Sequence, residues 1–217
     1  MIPGYMAKGS LKLGLIGYGK MGRMVERVAR ERQHEIVGGE EADICVDFSH
    51  PSVAVDHVQK YAAMKKNIVM GTTGWYEALP EVKKLVERYQ IGFLYSPNFS
   101  LGVLLFLQVV EEAARRFLPC GEYDVGGFEI HHRSKVDAPS GTAKAIVERI
   151  GKPVDFGSIR CGSIPGTHTV IFDSKADQVT LTHEARSREG FALGAVKAAE
   201  WLEGKTGFFT LEDLLKC

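Results

Sequence analysis

The chain has 217 residues with 27 Lys and Arg against 27 Asp and Glu, so it carries neither the basic excess nor the basic stripe of a nucleic-acid binder. Hydrophobic residues make up 45% and charged residues 25%, enough for one large or two small soluble cores. No apolar run nears the ~20 residues that span a bilayer, and Cys45, Cys120, Cys161 and Cys217 lack CxxC spacing, which suits reduced thiols in a cytoplasmic protein better than a disulfide framework or a metal site.

Residues 1–10 lack the apolar core of a signal peptide and read as a short natural extension or an artificial leader, with Met6 an alternative start. An apolar run at 11–16, stopped by Gly17, predicts a buried parallel strand. Met21, Met24, Val25, Val28 and Ala29 then recur on one helical face over 21–32. Strands are expected at 34–37 and 42–48, followed by a helix start at Ser49-His50-Pro51-Ser52 and a helix over 53–64. A strand at 67–70 ends in Gly71-Thr72-Thr73-Gly74; a helix over 79–89 and a strand over 91–95 lead into Ser96-Pro97-Asn98-Phe99-Ser100. Strands alternating with helices predict an α/β fold with a doubly wound parallel sheet, whose ligands bind at the carboxyl ends of the strands.

The pattern changes after residue 102. A long helix is expected over 104–117, a strand over 123–132, a helix from Ser140 to 150, and strand-like sequence over 158–186. Val170-Ile171-Phe172 and the run 178–183 flank a turn at 173–177, the pattern of an antiparallel hairpin. This predicts a second, α+β domain over 103–188 on a mixed or antiparallel sheet. The helical pattern at 191–202 and a short helix at 211–215 return the chain to the first domain, so that 1–102 is completed by 189–217.

Gly17-Tyr18-Gly19-Lys20-Met21-Gly22 fits GxGxxG between a strand and a helix. The glycines allow a tight turn, close approach of backbone to a pyrophosphate, and close strand–helix packing, while the helix N-terminus attracts the phosphate charge. This makes the first domain a Rossmann-type nucleotide binder. An acidic residue is expected about 20 residues on, at the ribose hydroxyls. Glu40 and Glu41 are the candidates, with Glu41 favoured; the absence of an adjacent arginine for a 2′-phosphate leans toward NADH over NADPH.

The densest chemistry lies in His131-His132-Arg133-Ser134-Lys135-Val136-Asp137-Ala138-Pro139-Ser140-Gly141-Thr142. A helix opened by Ser140 offers free N–H groups and a positive dipole end, and Ser140 and Thr142 add hydroxyls. Lys135 can neutralise a carboxylate, and either His131 or His132 can supply a proton near neutral pH. Together these residues point to a reductase acting on a small acid.

That block, extended back through Glu129-Ile130 and on to Ala143, closely resembles the signature of the 4-hydroxy-tetrahydrodipicolinate reductase family, also called the dihydrodipicolinate reductases. The resemblance extends in order through 17–23, Val46-Asp47-Phe48-Ser49, Gly71-Thr72-Thr73-Gly74, 98–103, Ser187-Arg188 and 194–199, nearly the whole chain. It implies an enzyme of lysine and diaminopimelate synthesis that reduces a cyclic imine dicarboxylate with NADH or NADPH. It implies His131 as proton donor and Lys135 as second catalytic residue, also contacting substrate. Substrate would be bound by His132, Gly141 and Thr142, and the nicotinamide lined by Gly71, Thr72, Thr73, Ser96, Pro97, Asn98 and Phe99. It further implies a homotetramer joined through the second domain's sheet. The chain departs from the family's pattern in a brief loop after Glu41, in Gly126-Gly127, and in a short 151–166 segment. Other readings are a two-domain dehydrogenase of an amino acid and a dinucleotide-sensing regulator without turnover, though a sensor has little reason to keep His131, Lys135 and the Ser140 helix start together.

Overall fold

The structure is a computed structural model and describes residues 9–216. The leader reading at 1–10 falls, through Lys8, outside those residues, as does Cys217. In chain order the elements are β1 (Lys12–Ile16), α1 (Lys20–Glu31), β2 (Glu35–Val37), β3 (Ile44–Asp47), α2 (Ala54–Ala63), β4 (Asn67–Met70), α3 (Leu79–Tyr89) and β5 (Gly92–Tyr95). They continue as α4 (Leu101–Phe117), β6 (Asp124–His131), α5 (Gly141–Ile150), β7 (Phe156–Arg160), β8 (Thr167–Asp173), β9 (Gln178–Glu184), α6 (Glu189–Leu202) and β10 (Gly207–Thr210). The chain divides into two compact units: the described residues up to Ser100 with those from Glu189 onward, and Leu101–Arg188.

The first unit holds a six-stranded sheet in the order β10-β5-β4-β3-β1-β2, parallel throughout. The order reverses between β1 and β3, so the loops after those strands diverge and leave a crevice at their carboxyl ends. Strand β3 is buried along its whole length, as expected for a central strand covered on both faces. Helices α1 and α6 pack together, and α2 packs on α3. Ala192, Ala195, Ala198 and Ala199 are fully buried on α6, small side chains that permit a close helix approach.

Strand β10 is a departure from the sequence expectation. Phe208 and Phe209 pair in parallel with Phe93 and Leu94, and Phe208 stacks on Phe93 at 5.1 Å. Four residues carry too short a pattern to register locally; the parallel partner makes them a strand. The segment 211–215 is a 3-10 helix with a capping box between Thr210 and Asp213. Helix α4 begins three residues before the expected 104, because Gly102 in its first turn is tolerated where Val103 gains burial.

The second unit is built on a mixed sheet, β7-β6-β8-β9, with β7 parallel to β6 and the remaining pairs antiparallel. Val103, Leu107 and Val110 from α4 and Ile146 and Ile150 from α5 cover Val125, Val170 and Phe172 of the sheet. The unusual Gly127 has a steric reason. A Cβ there would lie 2.5 Å from the Phe156 ring and 2.6 Å from the Thr169 carbonyl. None of the described helices is long and apolar enough to cross a membrane.

Candidate active site

The glycines of the first loop do three different jobs. Gly17 has φ +84°, and a Cβ there would meet the Phe48 carbonyl oxygen at 2.4 Å. At Gly22 a Cβ would fall 2.2 Å from the Gly17 carbonyl oxygen, so the third glycine lets α1 sit against the loop. Gly19 is different: a Cβ there meets nothing within 4 Å. It borders a cavity of about 410 Å³ lined by Gly19, Lys20, Met21, Phe48, Ser49, Pro51, Gly71, Thr72 and Thr73. Helix α1 starts at this cavity with no side-chain cap and no acidic residue in its first turn. Its orphan N–H groups and positive end are therefore open to an anion, and the open space at Gly19 admits backbone contact. Both features fit the pyrophosphate of a dinucleotide.

Six of the residues expected from the sequence at the cofactor thus line one cavity: Gly19, Lys20, Met21, Gly71, Thr72 and Thr73. Others lie elsewhere. Tyr18 is 58% exposed and hydrogen-bonds Glu26. Glu41 is exposed in the turn after β2, its amide donating to the Gly38 carbonyl at 3.0 Å, while Glu40 pairs with Lys60 at 3.5 Å. Ser96 donates its hydroxyl to the Asn98 carbonyl at 2.6 Å, and the Asn98 side chain accepts the Ser100 amide at 2.8 Å. Pro97 is exposed, whereas Phe99 is 2% exposed and packs edge-on against Phe48.

A residue missed in the sequence organises this end of the sheet. Asp47, buried at the tip of β3, accepts the Ser49 amide at 2.8 Å and hydroxyl at 2.6 Å, the Thr72 hydroxyl at 2.8 Å, and His57 Nδ1 at 2.8 Å. It ties the loops after β3 and β4 into one wall. The Thr72 hydroxyl is thereby committed within the protein. The signal was available: a carboxylate ending an apolar strand is buried at a cost unless it is used.

In the second unit, side chains two apart on a strand share a face, so β6 aims Glu129 and His131 the same way. The β6–β8 register sets His168 opposite Glu129, and the β6–β7 register sets Ser158 and Arg160 beside Glu129 and His131. All five lie on the face that carries α4 and α5. Glu129 is 0% exposed. Its Oε1 accepts the Ser140 amide at 3.0 Å, the Ser158 hydroxyl at 2.8 Å and Arg160 at 3.3 Å. Its Oε2 lies 3.5 Å from both His131 Nδ1 and His168 Nε2.

Burial pushes the Glu129 carboxyl up, but hydrogen bonds from Ser140 and Ser158 and the nearby imidazole outweigh it and hold the group below the ordinary range. Burial pushes His131 down; Glu129 opposes that, while Lys135 and Arg160 add to it. His168 is pushed down to about 4, by burial first and by His131 next, and is neutral near neutral pH. Glu129, His131 and His168 bring donor atoms within 4.8 Å of one another, the one set among the described residues with the spacing for a metal ion. The Arg160 guanidinium on the same carboxylate opposes a divalent cation there.

Ser140 is the N-cap of α5. Its oxygen accepts the Ala143 amide at 3.1 Å and lies 3.3 Å from His168 Nε2. Its hydroxyl thus caps the helix and faces the imidazole cluster on the sheet. Lys135 reaches Asp137 at 2.6 Å, and that contact, with a backbone hydrogen bond from Gly141, holds the Asp137 carboxyl below its usual range. A carboxylate therefore already sits against the Lys135 ammonium, two residues along the same loop. Gly141 is exposed and Thr142 half-buried. His132 Nδ1 lies 2.9 Å from the Ser134 hydroxyl. Arg160 clamps the loop by donating to the Asp137 carbonyl at 2.6 Å. Arg160 and His168 escaped the sequence reading because each sits on a strand with no local motif.

Comparison with known proteins bears on both units. Residues 34–99 match the family model described as dihydrodipicolinate reductase, N-terminus, and residues 102–215 the one described as dihydrodipicolinate reductase, C-terminus. A 4-hydroxy-tetrahydrodipicolinate reductase of Christiangramia forsetii is 35% identical, over 94% of this chain and 98% of its own. Among solved structures, a dipicolinate-bound dihydrodipicolinate reductase from a Paenisporosarcina species superposes with a TM-score of 0.80 at 20% identity, covering 94% of this chain and 99% of that one. The Vibrio cholerae aspartate semialdehyde dehydrogenase II shares the fold more distantly, with a TM-score of 0.58 at 12% identity over 89% of this chain and 98% of that one.

Proposed function

The chain belongs to the dihydrodipicolinate reductase family, and from that premise we propose that it reduces 4-hydroxy-tetrahydrodipicolinate, by way of dihydrodipicolinate, to tetrahydrodipicolinate in diaminopimelate and lysine synthesis. The observation that carries the reading is the pairing of a buried imidazole, His131, with a carboxylate-gripping lysine and helix start in one strand–loop–helix segment.

Gly17 to Gly22 and Gly71, Thr72 and Thr73 hold the cofactor, with the α1 N-terminus at its pyrophosphate. The nicotinamide, when bound, supplies the hydride that adds to ring C4. The product of that addition is an electron-rich enamine, which must gain a proton, and His131 donates it. Lys135 and the amides and hydroxyl of Gly141 and Thr142 take a substrate carboxylate in place of Asp137, with His132 beside them. Ser140 acts as the cap that aims this helix start. Ser96, Pro97, Asn98 and Phe99 form the remaining wall of the nicotinamide site, Phe99 from within the core.

Glu41, exposed after β2, is the ribose partner, and with no arginine adjacent the cofactor is NADH in preference to NADPH. The outer face of the second unit's sheet leaves Phe128, Ile130 and Ile171 partly exposed and Ile159 48% exposed, which supports assembly of a homotetramer through that face. The enzyme acts in the cytoplasm, in keeping with the free thiols of Cys45, Cys120 and Cys161 among the described residues. A coupled assay tests the reading. The condensation product of pyruvate and aspartate semialdehyde is expected to oxidise NADH, followed by loss of absorbance, faster than NADPH. No turnover with either cofactor would refute it.

A further inference from the structure

Glu129 is the most enclosed charged group of the second unit, and its two oxygens are used unequally. Oε1 receives the Ser140 amide, the Ser158 hydroxyl and Arg160, which already satisfies a carboxylate whose work is to anchor a helix and a strand. Oε2 has no hydrogen-bond partner although it is buried, and the same is true of His131 Nδ1. The two atoms lie 3.5 Å apart, on side chains two residues apart on one strand. A buried carboxylate oxygen left open costs free energy, so its placement against an equally open imidazole nitrogen calls for a role. The other ring nitrogen, Nε2, points toward Gly166, where a Cβ would come within 2.9 Å of it. Any side chain at 166 would crowd that nitrogen, and glycine avoids it.

Resting on the reading of His131 as proton donor, we propose that Glu129 is its positioning residue: the carboxylate holds the ring through Nδ1–H, and Nε2 delivers the proton. In the step, the hydride from the cofactor has added to the substrate ring and left an electron pair on the enamine carbon. That pair forms the new C–H bond as the Nε2–H bond breaks. The N–H electrons remain on Nε2, the Nδ1 proton stays toward Glu129, and water later returns a proton to Nε2. His168, neutral and 3.5 Å from the same Oε2, packs edge-on against the His131 ring at 5.1 Å and limits its rotation.

The charged and titratable groups facing His131 are Glu129 on β6, Lys135 and Asp137 in the following loop, Arg160 on β7, and His168 on β8, with His183 of β9 behind it. Burial pushes His131 down and the Glu129 charge pushes it back up. Removing the carboxylate charge therefore lowers the His131 pKa further, and the alkaline fall of the rate moves to lower pH.

The test uses the full-length wild type and Glu129→Gln, which keeps an acceptor for Ser140 and Ser158 but removes the charge. Glu129→Gln is expected to lower kcat on the order of 10²-fold with NADH affinity unchanged, and to move the alkaline limb downward. Nitrogen-15 NMR of wild-type His131 is expected to show Nδ1–H in the neutral ring. An Nε2–H tautomer, or a His131 titration unmoved in Glu129→Gln, would overturn the proposal. So would a rise in turnover when zinc is added to chelator-treated wild type, which would make the three groups a cation site. If Glu129→Gln does not fold, the wild-type tautomer decides alone. If His131→Gln keeps full turnover, the reading of His131 fails, whereas the NMR still reports whether Glu129 holds the ring.

Discussion

The Ser140 oxygen lies 3.3 Å from His168 Nε2 and, on its other side, accepts the Ala143 amide at 3.1 Å. One hydroxyl thus joins the cap of α5 to the imidazole cluster on the sheet, and the Ser140 amide joins the same cap to Glu129. Ser140→Ala is expected to cost about 1 kcal/mol of stability in denaturant unfolding. Because the backbone donor to Glu129 persists, kcat should change by only a few-fold. A larger rise in substrate KM for Ser140→Ala than for Thr142→Ala would instead place the hydroxyl on the substrate.

Two glycines of the first loop should separate folding from cofactor binding. At Gly17, with φ +84° and the Phe48 carbonyl 2.4 Å from a Cβ, alanine forces the loop apart, and a loss of about 1–3 kcal/mol is expected. At Gly19, φ −81° and ψ −156° suit any residue, and a Cβ meets no protein atom within 4 Å. Gly19→Ala should melt like the wild type while its NADH affinity falls, as measured by quenching of protein fluorescence. Unchanged affinity would remove Gly19 from the cofactor site.

His131→Gln and Lys135→Ala are each expected to lose turnover on the order of 10²-fold or more. The Gln variant should act on kcat. The Ala variant, which also frees Asp137 from its 2.6 Å contact, should raise substrate KM as well. NADH affinity should be retained in both, since neither side chain belongs to the first unit. Near-normal turnover in both variants would show that the proton donor and the anion site lie elsewhere.

His168 makes stability depend on pH. Its pKa is pushed from 6.5 to about 4, so the folded state binds the proton less readily than the unfolded chain. Its stabilising share is complete above the unfolded value near 6.5 and is lost as pH falls toward 4. That shift corresponds to on the order of 3 kcal/mol. His131 and His183, also depressed, add to the fall. Urea unfolding at a series of pH values should show this loss, and His168→Gln should flatten it. An unchanged slope in the variant would mean that His168 is not the group titrating.

Much of the fold was legible because its signals are local. The run before Gly17, the helical face from Met21 to Ala29, and the buried strand Asn67–Met70 each declare themselves within a few residues. The short strand at Phe208 and Phe209 did not, because its identity depends on pairing with Phe93 and Leu94. The first turn of α4 was hidden behind Gly102, whose low propensity is offset by the burial of Val103.

The candidate site divides in the same way. By itself the sequence determined the glycine loop at a strand–helix junction and the His131-to-Thr142 segment, since spacing along the chain sets which glycines turn and which residue caps a helix. Only the tertiary structure decided that Glu129 faces His131, that His168 and Arg160 join them, and that Asp47 ties Thr72 to Ser49. The reason is register. Which residues oppose one another across β7, β6 and β8 is set by the packing of whole strands under α4 and α5, and a slip of one residue would have turned every one of these side chains to the other face.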